Sequence, residues 1–112
     1  MNNIISWNDF IKVDIRVGTI IEVLPFPEAR NPSYKLIIDF GPLGQRKSSA
    51  QITALYQIED LISKQIIAVV NFPKKQIGPF MSECLVLGVY GEQSEIILLA
   101  PERQVPNGSK IG

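Results

Sequence analysis

The sequence predicts an all-β domain folded as a small barrel. Three observations carry this. Apolar and polar residues alternate with a period of two from Lys12 to Leu24. Eight glycines and eight prolines cut the chain of 112 residues into short pieces. Helical spacing is confined to two brief stretches. A chain of this length fits one domain, residues 1–112, and buries roughly 65% of its unfolded surface, enough for one core without disulfides.

The elements follow in order. Ser6-Trp7-Asn8-Asp9 has the spacing of a helix start, with Ser6 as cap and Asp9 in the first turn, and any helix there is short. From Lys12 to Leu24, Val13, Ile15, Val17, Ile21 and Val23 share one face of a long strand. Lys12, Asp14, Arg16 and Glu22 share the other, and Gly18 marks a bulge or barrel corner. Pro25-Phe26-Pro27 ends that strand. Tyr34 to Phe40 alternates again, with Tyr34, Leu36, Ile38 and Phe40 on one side. Gly41-Pro42-Leu43-Gly44 is a turn, and Arg46 to Ile52 is a third, more polar strand. Leu55 to Ser63 carries Leu55, Ile58, Leu61 and Ile62 at helical spacing, about two turns. Gln65 to Val70 is a fourth strand, and Asn71 to Met81 a long loop punctuated by Pro and Gly. Leu85 to Tyr90 and Ile96 to Leu99 complete about six strands, before a turn at Pro106-Asn107-Gly108. A five-stranded Greek-key barrel with a helix between strands three and four is the OB arrangement. On pattern it ranks narrowly ahead of an SH3-like barrel.

The composition removes most chemistry. There is no histidine, hence neither the commonest general base nor the commonest metal ligand. Cys84 is the single cysteine, so no intrachain disulfide and no structural zinc site is expected. Ser48, Ser49 and Ser82 lack a histidine to activate them, and a serine–lysine pair using Lys47, Lys74 or Lys75 rests on spacing alone. The expectation is a binding protein with no catalytic residues, no cofactor and no metal. Met1 to Trp7 lacks the pattern of a secretory signal, and no apolar run approaches the ~20 residues of a membrane span. With one cysteine this reads as a cytoplasmic chain without membrane insertion.

Eleven basic residues balance eleven acidic ones, so any positive patch is local. Arg46-Lys47 and Lys74-Lys75 are the adjacent basic pairs, flanked by Tyr34, Phe40, Phe72 and Phe80. Basic charge among aromatics suits a single-stranded nucleic acid, and it equally suits an apolar peptide groove with a charged rim. Arg16 pairs with Asp14 or helps line that face. Trp7, Phe10 and the C-terminal tail lie outside the five strands. They either fold back or meet a second copy of the chain, and the second is favoured.

Val13-Asp14-Ile15-Arg16-Val17-Gly18-Thr19-Ile20 resembles the opening strand of the tRNA-binding domain family, an OB-fold group. The resemblance continues through Phe26-Pro27-Glu28-Ala29-Arg30, Lys47-Ser48-Ser49-Ala50-Gln51 and Ile77-Gly78-Pro79-Phe80-Met81-Ser82. It points to the CsaA, export-related chaperone branch. It implies a homodimer built through the terminal extensions, about residues 1–11 and 95–112, with Trp7 and Phe10 at the interface. It further implies a role in protein secretion, binding unfolded or precursor polypeptides in contact with the secretion ATPase. Carried over by position, the binding surface takes Arg16, Ala29, Asn31, Tyr34, Lys35, Ser48, Ser49, Phe80, Met81 and Ser82. The residue pattern adds Phe26, Arg46, Lys47, Lys74 and Lys75. The tRNA-binding relatives have a His-Pro-Asn-Ala-Asp-Lys-like turn where this chain has Phe26-Pro27-Glu28-Ala29-Arg30-Asn31. A tRNA partner is therefore the alternative reading.

Overall fold

The structure is a computed structural model that describes residues 3–112. Met1 and Asn2, the start of the N-terminal extension expected to dimerise, lie outside the described residues. A one-turn helix α1 (Trp7–Ile11) opens the chain. Its capping box is the one the sequence implies: Asp9 N–H donates to Ser6 Oγ at 3.1 Å and Ser6 N–H to Asp9 Oδ2 at 3.1 Å. There follow β1 (Ile15–Pro25), β2 (Tyr34–Asp39), a 3-10 turn, β3 (Gln45–Ala50), α2 (Ile58–Leu61) and β4 (Gln65–Val69). The last five strands are short: β5 (Lys75–Ile77), β6 (Phe80–Ser82), β7 (Leu85–Val86), β8 (Gly88–Tyr90) and β9 (Ile96–Leu98).

The main sheet has the order β3-β2-β1-β4-β7, with antiparallel neighbours throughout, and it curls into a nearly closed barrel. With α2 between β3 and β4, this is the expected OB arrangement. The core follows from the period of two. Leu36, Ile38 and Phe40 on β2 and its end are fully buried, together with Ile20, Leu61 and Ile66.

Four expectations are corrected. The irregularity of β1 lies between Ile20 and Glu22, not at Gly18. An extra residue there reverses the side-chain phase, so Ile20 and Val23 point inward while Ile21 is exposed; Val13 is exposed in the bend before β1. The second helix is one turn rather than two. Ile62 is already extended at its end, and Leu55 and Ile62 are exposed. The Asn71–Met81 stretch is no mere loop. It folds as the β5–β6 hairpin, turned at Gly78-Pro79 with Gly78 at φ 55°. The described residues therefore form nine strands rather than about six.

The C-terminal segment folds back on its own barrel, along the part of β1 that β2 leaves unpaired. Gly108 N–H donates to Val17 C=O at 2.7 Å, and Val17 N–H to Ser109 C=O at 2.9 Å. Ile111 N–H donates to Ile15 C=O at 2.9 Å.

Candidate ligand-binding face

Alternation along β2 and β3 decides which side chains face out. Leu36, Ile38 and Ser48 are buried, so Lys35, Ile37, Lys47 and Ser49 lie on the opposite, outer face. The register sets them in two cross-strand rows, Leu24–Lys35–Ser49 and Glu22–Ile37–Lys47. This is the strand face OB folds commonly use, bordered by the loops after β1 and β4.

Both loops supply a phenylalanine. Phe26, just past β1, is 3% exposed, and Phe80 opens β6 half-buried. Their rings meet edge to face, with centroids 5.4 Å apart. Lys35 Nζ stands 4.9 Å from the Phe26 centroid and 5.6 Å from that of Phe80. Lys47 Nζ stands 5.5 Å from the Phe80 centroid. One aromatic ring thus sits between two ammonium groups, each held by a cation–π attraction of about 0.5–1 kcal/mol at such exposure. Among the described residues neither ammonium lies within ion-pair distance of a carboxylate.

Glu83 locks the hairpin in place, and sequence reasoning missed it. Its N–H donates to Lys47 C=O at 2.7 Å, and Lys47 N–H donates to Glu83 Oε1 at 2.9 Å. Lys74 Nζ lies 3.4 Å from Glu83 Oε2. The Lys47 N–H, aided by the Lys74 ammonium against some burial, holds the Glu83 carboxyl below the usual carboxylate range. Beside it Ser48 Oγ donates to Cys84 C=O at 2.9 Å. Burial pushes the Cys84 thiol up to about 11, so it stays protonated at neutral pH. The one signal for Glu83 in the sequence was its place after Ser82, and its partner Lys47 is too distant in the chain to be read from spacing.

The expected residues divide accordingly. Phe26, Lys35, Lys47 and Phe80 come together, with Ser49 on the same face, and Lys74 joins through Glu83. Lys75 is exposed on β5 opposite Ser82, and Met81 is half-buried opposite Gln76. Ser82 helps line a small cavity of about 160 Å³ with Phe72, Pro73 and Cys84. Ser48, fully buried, ties β3 to the chain beyond the hairpin rather than offering a contact surface. Arg46 does not form one patch with Lys47. Neighbours on a strand face opposite ways, and its guanidinium donates to Val70 C=O at 2.7 Å. Arg16 is committed to the tail, donating to Asp14 Oδ1 at 2.6 Å and to Gly108 C=O at 3.0 Å. Tyr34 donates its hydroxyl to Tyr56 C=O at 2.9 Å and packs on the core. Ala29 lies in the turn after Phe26, and Asn31 borders a separate polar groove with Gln51, Thr53 and Gln93. Trp7 is 68% exposed, and its ring contacts the half-buried Phe10 at 5.5 Å between centroids.

Comparison with known proteins adds four likenesses. A family model described as "Putative tRNA binding domain" matches residues 15–110. A crystal structure of chaperone CsaA from Bacillus anthracis str. Ames is 49% identical, with a TM-score of 0.93 over 98% of this chain and 100% of that one. The CsaA chaperone protein of Picrophilus torridus is 54% identical, with a TM-score of 0.91 over 97% of this chain and 100% of that one. Among curated relatives, a methionine–tRNA ligase of Parabacteroides distasonis is 31% identical over 107 residues, 96% of this chain. The chain spans only 15–16% of the length of such ligases.

Proposed function

This chain belongs to the tRNA-binding domain family, in its CsaA branch, and from that membership we propose that it is a chaperone module for unfolded or export-destined polypeptides. The observation that carries the proposal is Phe80, an aromatic side chain held half-exposed between Lys35 and Lys47 on the outer face of the barrel. Such a ring offers apolar contact to an unfolded segment, while the ammoniums engage its carbonyls and carboxylates. The module acts as a cytoplasmic homodimer. In support, the N-terminal segment exposes Ile4, Ile5, Trp7 and Ile11, an apolar strip that a second copy would cover. Delivery to the secretion ATPase follows from the export role of the branch. The proposal assigns no reaction to the chain.

Phe80→Ala tests the site. Removing a ring that a client covers costs about 1.5–3 kcal/mol, roughly a ten- to hundredfold loss of affinity. The measurement is fluorescence anisotropy with a labelled, reduced and unfolded client, beside a melting curve for the variant. Unchanged affinity in a folded variant removes Phe80 from the site. A 12.5 kDa species in sedimentation at micromolar concentration would end the dimer reading.

The same ring and lysines also favour a second reading, tRNA binding by stacking plus phosphate attraction. Salt separates the two. The logarithm of the affinity for tRNA falls linearly with the logarithm of salt concentration, whereas apolar client binding holds or strengthens.

A further inference from the structure

The N-terminal helix is ordered without burying a face. None of the five residues of α1 is buried, and Trp7 and Ile11 on it are exposed, as are Ile4 and Ile5 before it. A single helical turn has little stability of its own in water, because nucleation costs more than so few hydrogen bonds return. Packing against the barrel does not make up the difference. A polar clamp does.

The clamp is Asn71, just past β4. Its Nδ2 donates to Lys12 C=O at 2.7 Å, and its Oδ1 accepts from Asp14 N–H at 2.9 Å. One side-chain amide thus brackets Val13 and satisfies a carbonyl at the end of α1 that no helical N–H reaches. Asp14 is the fixed point of this grip. Its C=O accepts from Val70 N–H at 2.9 Å, and its carboxylate accepts from Arg16, whose guanidinium also donates to Gly108 C=O. The N-terminal segment, the end of β4 and the C-terminal tail are tied at one node.

Holding apolar residues in one exposed arrangement costs conformational entropy and gains nothing in a lone chain. It gains affinity once a partner covers them, because the ordering is complete before association. Residues 3–8 carry no charge, so two copies can lie against each other across a twofold axis without like charges meeting. We propose that Asn71 is the positioning residue for self-association, holding α1 and the residues before it in the orientation in which Ile4, Ile5, Trp7 and Ile11 meet a second copy. This rests on the homodimer reading above and names the residue that prepares the interface. Asn71 acts through Lys12 and Asp14 and not by touching the partner.

The test measures the dimer dissociation constant of the full chain by sedimentation velocity over a dilution series. It compares the unaltered chain, Asn71→Ala, Trp7→Ala and the double variant. Each copy loses two hydrogen bonds in Asn71→Ala, so the dimer should weaken about tenfold for each copy and about a hundredfold in all. In the Trp7→Ala background the same substitution should matter far less, since a strip without its largest side chain gains less from being held. Trp7, the sole tryptophan, supplies an independent readout. Its anisotropy decay should gain a fast local component in Asn71→Ala, while the circular dichroism of the barrel is retained. Asn71→Asp keeps the acceptor for Asp14 N–H and loses the donor to Lys12 C=O. It should fall between the two, and it decides if Asn71→Ala does not fold.

An unchanged dissociation constant in a folded variant, or losses that add fully with Trp7→Ala, would overturn the proposal and leave the dimer standing. A weakened dimer in which Trp7 stays as rigid as before would place Asn71 in the interface itself and refute the positioning role. A lone 12.5 kDa species for the unaltered chain would end the dimer reading, and this proposal with it.

Discussion

Gly18→Ala measures how tightly the strand that begins the barrel is pressed against its neighbour. A Cβ at residue 18 would lie 2.7 Å from Ile38 Cγ2 and 2.7 Å from Phe40 Cε1. Carbon atoms in contact normally sit about 3.5–4.0 Å apart, so the neighbours must yield by close to 1 Å. Both are fully buried, which leaves the overlap little room to relax. Inserting a methyl group into such a site costs about 1–3 kcal/mol. Alanine also narrows the unfolded ensemble, which returns about 0.4–1 kcal/mol. The balance is a loss of about 1–2 kcal/mol. With a urea slope of about 1–2 kcal/mol per molar, the midpoint falls by about 1 M at an unchanged slope. Urea denaturation followed by tryptophan fluorescence or circular dichroism reads this directly. The sign is the strict part. Without the overlap, alanine would stabilise, so a midpoint that holds or rises refutes this account of the glycine.

Two further outcomes concern the docking of the hairpin. The Glu83 carboxyl is depressed below its ordinary value of 4.5 by the Lys47 N–H and the Lys74 ammonium. Its stabilising contribution is therefore complete above that value and is lost as pH falls through it toward the folded pKa. Glu83→Gln should cost about 1 kcal/mol at neutral pH and progressively less below pH 4.5, in melting curves taken across pH. A difference that does not shrink on acidification would contradict the assignment. Burial raises the Cys84 thiol to about 11, so a disulfide reagent at pH 7–8 should label the folded chain far more slowly than the urea-unfolded one. Equal rates would mean that the segment after the hairpin is open.

The barrel was legible because its main signal is local. Leu36, Ile38 and Phe40 alternate cleanly, and every one is buried as the pattern requires. β1 was legible as a strand but not in phase. Ile20 and Ile21 are both apolar, so a period of two cannot say which is the extra residue, and the register shift there leaves Ile21 outward. The β5–β6 hairpin escaped notice because its strands have three residues each, too few to show alternation among prolines and glycines. The second helix was overestimated for a related reason. Leu55 and Ile62 fit a helical stripe by spacing, yet Gln57 and Asp60 cap a single turn and the chain becomes extended at Ile62.

The candidate site was less legible than the fold, and for a reason of distance along the chain. Residue types marked Phe26, Lys47 and Phe80 singly and the family resemblance marked Lys35, but their meeting depends on register. Lys35 reaches both rings because β2 pairs with the end of β1, and Lys47 reaches Phe80 because Glu83 pins the hairpin to β3. The same register separates Arg46 from Lys47, which adjacency in sequence had joined.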